Sequence, residues 1–309
     1  MILMCALASL LSVLPYTTPK YEVEVERDVV YAQAEGYWTH APVGERGTVR
    51  KLSPQLLKTR TLDLDMDIYL PAADSSETRP LLLMMHGGSF FIGHKTEPGQ
   101  AGWCRYFASL GYVAVSIDYR LGYHARKSEF REAEYRALED ADAALDYLLK
   151  REDLRIDPDC IFVAGTSAGA ITALNLAFRL YGSQPMERVK PLRDKDFRIR
   201  AVANLWGAVH DLSVLENASV AILSFQSERD PMVPYDYGYP MGRTGRLIAD
   251  PMYGTHAIYE KAVSIGLPAE HHPCPEARHR LHLDSEMKET PRFYEIRDAM
   301  VRFFAEQME

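Results

Sequence analysis

CIFVAGTSAGAITALNLAFRLY, residues 160–181, is the stretch on which the reading of the fold turns. It runs from an apolar segment through five small residues, Gly165-Thr166-Ser167-Ala168-Gly169, into a helix-forming segment. A sharp turn from strand to helix needs small residues two places before and two places after its apex, because side chains there would collide with neighbouring backbone. Such a turn lifts Ser167 above the sheet. It also sets a helix N-terminus beneath any negative charge that develops there, within reach of the Ala168 N–H. Taken alone, G-x-S-x-G also describes a tight turn beside a helix cap, so the surrounding sequence has to decide.

Outward from this point, PLLLMMHGG (80–88), YVAVSIDY (112–119), RAVANLWGAV (200–209) and VAILSFQSE (219–228) are short apolar runs of the kind covered on both faces of a sheet. AEHHPCP (269–275) reads as a last strand. Earlier in the chain, YEVEVERDVVY (21–31) and TLDLDMDIYL (61–70) alternate polar and apolar residues, the period of half-buried strands at an antiparallel edge. The clearest helix is 131–153, with Tyr135, Leu138, Ala141, Leu145 and Leu148 on one face. Further helices follow Ser167 and cover 256–266 and 293–307. This alternation implies an α/β fold with a mostly parallel central sheet of about eight strands and helices on both faces.

The bulk properties narrow the function. A formal net charge of −8 and the lack of a Lys/Arg run argue against nucleic acid as a partner and point to a neutral substrate. Cys5, Cys104, Cys160 and Cys274 are widely spaced and show no zinc-ligand pattern, so no metal or organic cofactor is expected and the cysteines read as small hydrophobes. The apolar start, MILMCALASLLSVL, suits a signal peptide within residues 1–19 and hence a secreted or periplasmic protein, with the cytoplasm as the alternative. It is too short for stable membrane insertion. Residues 20–309 then form the catalytic domain. Nothing in the sequence speaks to oligomeric state.

Several residues fit around Ser167. His86-Gly87-Gly88-Ser89-Phe90 follows a strand where an oxyanion loop belongs, so Gly88 and Ser89 join Ala168 as backbone donors. His86 and Asp118 read as structural, with His86 shaping the loop through hydrogen bonds and Asp118 holding that loop or Arg120. A serine hydroxyl needs a histidine to take its proton and a carboxylate to orient the histidine. Asp230, at the end of an apolar run and followed by Pro231 and Pro234, fits the acid better than Glu228 or Asp236. For the base, His279 has the favoured loop position, His282 is the alternative, and His271 and His272 would point to opposite faces of a strand. Tyr235, Tyr237 and Tyr239, in the Gly- and Pro-rich loop after Asp230, are expected to wall the substrate pocket, or else simply to pack the loop.

HGGSF, SIDYRLGY, IDPDCIFVAGTSAGA, DPMVPYDYGYP and RHRLHLD, in this order, resemble the esterase/lipase group of α/β-hydrolases, especially bacterial carbohydrate esterases with feruloyl and acetyl esterase activity. The resemblance covers about residues 21–309. It departs at Glu276-Ala277-Arg278-His279, where many members of the group carry Gly-x-Gly-His, and at HGGS, where many have a third glycine. What it implies is a serine esterase acting through an acyl-enzyme on a small-molecule or carbohydrate ester. The polar segment 180–197 argues against a large lipase-type cap. A serine peptidase on the same fold, or a catalytically inactive hydrolase-like binding module, are the competing readings.

Overall fold

The computed structural model describes residues 14–41, 48–178 and 197–308. Most of the apolar start and nearly all of segment 180–197 therefore lie outside the described residues. In chain order the elements are β1 (Val23–Gly36), α1 (Thr48–Leu52), β2 (Arg60–Pro71), β3 (Arg79–Met85), α2 (Pro98–Leu110), β4 (Val113–Ile117), α3 (Lys127–Lys150), β5 (Ile156–Thr166) and α4 (Ala168–Phe178). There follow β6 (Ile199–Leu205), β7 (Ala221–Ser227), β8 (Tyr237–Gly238), α5 (Gly242–Gly245), β9 (Met252–Tyr253), α6 (Thr255–Ser264), β10 (Ala269–Cys274) and α7 (Pro291–Glu306).

Eight strands make one sheet in the order β1-β2-β4-β3-β5-β6-β7-β10. β2 runs antiparallel to both β1 and β4, and every other neighbouring pair is parallel. This is the doubly wound sheet with an antiparallel edge that the sequence implies. The central strands are apolar throughout because both faces are covered. In β5, Ile161 and Val163 face one half of the core while Phe162 and Ala164 face the other, as period-two geometry requires. Residues of α3, α4 and α6 fill the first half, and residues of α2 and α7 fill the second. Each fully buried Leu or Phe in these layers contributes roughly 1.5–3 kcal/mol relative to exposure.

α2 is a helix that the sequence reading did not mark. Its signals are Pro98 in the first turn and Gly111 at the C-terminal end, where φ is +113°. β1 is the outermost strand, and its register with β2 shifts twice, between Glu26 and Val29 and between Val30 and Ala32. The first irregularity leaves Asp28 in the left-handed region at φ +53° and turns Arg27 toward Asp67, 3.1 Å away. Cys104, Cys160 and Cys274 are buried and unpaired, as expected of small hydrophobes.

One buried ion pair ties the loop after β4 to α3. Asp140 accepts from the Arg120 backbone N–H at 2.7 Å and from the guanidinium at 2.7 and 2.8 Å, with its own side chain 2% exposed. Asp140, rather than Asp118, therefore holds Arg120. Leaving one member of a buried pair without its partner typically costs about 3–5 kcal/mol. Asp140→Ala leaves Arg120 with the partly exposed Glu139, 3.0 Å away, and is accordingly expected to lower the unfolding free energy by up to that amount and the denaturation midpoint with it. A urea titration that overlays the wild type would refute the assignment.

Candidate active site

The site begins where β5 meets α4. Ser167 has φ +53°, in the left-handed region that non-glycine residues rarely occupy, and its N–H donates to Leu205 O at 2.9 Å. Both flanking glycines are required by contact. A Cβ on Gly165 would lie 2.3 Å from the Gly169 carbonyl, and one on Gly169 would lie 2.2 Å from Met85 O. Backbone meets backbone at both places, so no side chain can move aside to make room.

The HGGSF loop wraps the same point. A Cβ on Gly87 would reach Thr166 O at 3.0 Å, and Gly88, at φ +112°, would drive a Cβ into Ile92 O. Ser89 and Phe90 follow at φ +55° and +58°, two successive non-glycine residues in a strained conformation. The N–H groups of Gly88, Ser89 and Ala168 donate to no partner among the described residues. Unpaired N–H groups beside a serine hydroxyl, one of them at a helix N-terminus, are suited to receive a negatively charged oxygen.

His86 keeps the loop in shape. Its Nδ1 donates to Gly87 O at 2.7 Å, its ring stacks on Tyr119 at 4.3 Å, and Tyr119 Oη donates to His86 O at 2.6 Å. Complete burial pushes its pKa down to about 3, so the ring is neutral. Asp118 accepts from Lys95 N at 2.7 Å and stands 3.5 Å from His86 Nε2, on the side away from Gly87. Both residues support the loop.

The acid and base arrive on separate loops. Asp230 follows β7, and its buried carboxylate accepts from Met232 N at 2.7 Å and Val233 N at 3.1 Å. His279 lies in the loop between β10 and α7. Its Nδ1–H faces both Asp230 oxygens at 2.8 and 2.9 Å, which leaves Nε2 bare to accept the Ser167 hydroxyl proton at 2.8 Å. The loop that carries it is tied down by Ser227 Oγ donating to Glu276 O and by the Arg292–Glu276 pair at 2.6 Å.

The other candidate bases stand elsewhere. His282 is sandwiched by Trp103 at 5.0 Å and Trp206 at 5.2 Å, and neither of its ring nitrogens has a hydrogen-bond partner among the described residues. Burial pushes its pKa down to about 3. His272 stacks on Phe225 at 4.2 Å and His271 packs on Tyr259 at 5.4 Å, both within β10.

A cavity of about 240 Å³ opens over Ser167, lined by the loop 87–89, Trp206, Glu97, Arg280 and His282. None of the three loop tyrosines lines it. Tyr235 stacks on His256 at 5.1 Å, Tyr237 packs on Tyr253 at 4.6 Å across the β8–β9 ribbon, and Tyr239 lies against Lys127 and Arg246. The expectation that they wall the pocket is corrected for this cavity: the rings pack on residues around their own loop, where β8 and β9 pair with each other. Packing of the loop is what the tyrosines do.

Sequence reading passed over Gln226, which is fully buried. Its amide donates to Val233 O at 2.9 Å and to Asp230 Oδ2 at 3.3 Å, and its Oε1 accepts from Thr255 Oγ1 at 2.8 Å. The available signal was a lone amide inside an apolar strand run. Among the described residues no cluster of side chains could hold a metal ion, and no helix is long and apolar enough to cross a membrane.

The family model described as BD-FAE matches residues 66–233, just over half of the chain and inclusive of the oxyanion loop, the elbow and Asp230. The chain belongs to the BD-FAE family. This BD-FAE protein is thus a member of the esterase/lipase-like α/β-hydrolases. Among curated proteins it is 31% identical over 121 residues to "Gut esterase 1" of Caenorhabditis elegans, covering 38% of this chain and 21% of that protein. It is 33% identical over 124 residues to "Non-reducing polyketide synthase pkbA" of Emericella nidulans, covering 38% of this chain and 5% of that one. The match thus takes in only a small part of either relative's length. Among solved structures, esterase 2 of Thermogutta terrifontis phosphoramylated by tabun superposes with a TM-score of 0.62 at 18% identity, covering 93% of this chain and 95% of that one. Esterase B from Lactobacillus rhamnosis, inhibited by a tributyrin phosphonate, gives 0.59 at 17% identity, covering 93% and 86%. At these identities the superpositions speak to the fold.

Two tests follow from the geometry. Gly169→Ala forces backbone at β3 to move, and overpacking of this kind costs about 1–3 kcal/mol or more. The variant is expected to melt well below the wild type, and an unchanged melting temperature would rule the contact out. His282 is neutral when folded and, with an ordinary pKa of 6.5, takes up a proton when unfolded, so its share of stability is lost as pH falls below about 6.5. His282→Asn is therefore expected to lose less stability than the wild type between about pH 7 and about pH 5. Parallel pH slopes would show that the ring is not buried in its neutral form.

Proposed function

We propose that this BD-FAE protein is a serine carboxylic-ester hydrolase in which Ser167 is the nucleophile, His279 the base and Asp230 the residue that orients the base. The observation that carries the reading is the unbroken hydrogen-bond chain from Asp230 through His279 to Ser167, each link 2.8 Å, ending on a strained strand-to-helix turn. His279 takes the Ser167 proton as Oγ attacks the ester carbonyl. The resulting oxyanion sits among the free N–H groups of Gly88, Ser89 and Ala168, each worth on the order of 3 kcal/mol to the transition state in comparable sites. The protonated imidazole, stabilised by Asp230, gives its proton to the departing alcohol, leaving Ser167 acylated. Water deprotonated by the same ring then attacks the acyl group and releases the acid.

For the natural substrate we propose acetyl or hydroxycinnamoyl groups carried on carbohydrate. The ordered motifs that resemble bacterial feruloyl and acetyl esterases support this, as does an acidic protein with a small cavity beside the nucleophile. The cavity suits a short or flat acyl group.

The test is hydrolysis of para-nitrophenyl acetate, para-nitrophenyl octanoate, methyl ferulate and acetylated xylan by the wild type, Ser167→Ala and His279→Ala, together with mass analysis after paraoxon treatment. Loss of roughly 10⁴-fold or more in kcat is expected for each variant, with a single diethylphosphoryl group on Ser167 of the wild type. Full activity in Ser167→Ala would sink the mechanism. Release of octanoate faster than of acetate or ferulate would sink the substrate assignment.

A further inference from the structure

Glu97 is the acidic residue of the cavity, and the proposed mechanism leaves it without a task. It closes the loop after β4's neighbour β3, at the start of α2, and is only 4% exposed. Its backbone is in use, the N–H donating to His94 O at 3.1 Å and the carbonyl accepting from Ala101 N at 3.0 Å. Its carboxyl has no hydrogen-bond partner among the described residues and does not cap its own helix. What it does have is a place in the wall of the cavity that holds Ser167 and His279. A nearly buried carboxyl with no protein donor takes its hydrogen bonds from whatever occupies the cavity.

A second charged residue of the cavity narrows what that occupant can be. Arg280 lines the same cavity, where its Nη1 contacts Met287 Sδ at 2.9 Å, and its charge opposes the effect of burial on Glu97. With a cation already facing the carboxyl, the cavity is poorly suited to a second one, and an ammonium-bearing ester is disfavoured. A neutral donor carries no such penalty and satisfies the carboxyl. We propose that Glu97 is a specificity-determining residue that accepts a hydrogen bond from a hydroxyl group of the ester bound at Ser167, so that the enzyme selects hydroxylated esters over plain alkyl esters of the same shape. This rests on the ester-hydrolase reading of the site. Burial pushes the Glu97 pKa up to about 7, so near neutrality the carboxylate form that accepts most strongly is well populated.

The hydroxyl can belong to the acyl group or to the alcohol, and two matched pairs separate these sources. Methyl butyrate against methyl 3-hydroxybutyrate reports on the acyl side, and propyl acetate against glycerol monoacetate reports on the alcohol side. Wild type, Glu97→Gln and Glu97→Leu would be assayed on all four in a pH-stat, with melting temperatures for each. The wild type is expected to favour the hydroxylated member of one pair by about tenfold or more in kcat/KM, chiefly through KM, the size expected of a hydrogen bond to a charged group. In a folded Glu97→Leu the ratio of kcat/KM between the hydroxylated and the plain member of that pair is expected to fall close to unity, while Glu97→Gln keeps part of the preference. A wild type that hydrolyses the plain esters without preference in either pair overturns the role of Glu97 and leaves the hydrolase reading intact. So does a preference that survives in a folded Glu97→Leu. A wild type inert toward all four esters and unlabelled by paraoxon overturns both.

Discussion

The active site depends on a place where three stretches of backbone touch without any side chain between them. The first turn of α4 presses Gly169 against the carbonyls of Met85 and His86, while Gly165 presses on Gly169 from below. Because Gly169 bears on the end of β3, the position of Ser167 and that of the HGGSF loop, which starts at the next residues, are set by the same contact. Ser167 cannot shift without displacing Gly87, whose own Cα lies close to Thr166. The preorganisation that oxyanion stabilisation requires is thus a matter of van der Waals exclusion before it is one of electrostatics.

The other half of the site is assembled by polar contacts. Asp230 and His279 sit on loops after neighbouring parallel strands, β7 and β10, where two chain segments leave the sheet at the same end. Gln226 binds the acid loop to the start of α6, and Glu276 binds the base loop to Ser227 and Arg292. A buried amide with both ends satisfied acts as a spacer of fixed length. The backbone-packed turn at Ser167 and the hydrogen-bonded Asp230–His279 pair meet at the 2.8 Å link between Ser167 and His279.

Much of this arrangement was legible because its causes are local. Strands covered on both faces have to be continuously apolar, so β3 to β7 stood out, and steric need at a sharp turn marked Gly165 and Gly169. The choice of His279 over His282 was not local. Three residues apart in one loop, they differ because Trp103 and Trp206, remote in sequence, enclose one ring and leave the other facing Asp230. The tyrosines after Asp230 misled for a related reason: their loop pairs with itself through β8 and β9, and adjacency to the acid in sequence does not bring adjacency to the cavity. Glu97 gave no sequence signal, since the helix it precedes was itself unmarked, and its burial in the wall of the cavity is what sets it apart.

The irregular outer strand β1 bears on how this protein meets others of its kind. Its register breaks twice, and Glu24, Arg27, Asp28, Gln33 and Glu35 stand out from it into solvent. A regular, flat edge of fourteen residues would be a template on which another chain's strand could add. Here the bulged backbone presents its free amide groups out of line, and any incoming strand would have to strip water from a row of charges. This end of the sheet is guarded by its shape against growth into fibrils, which lets a long strand remain outermost.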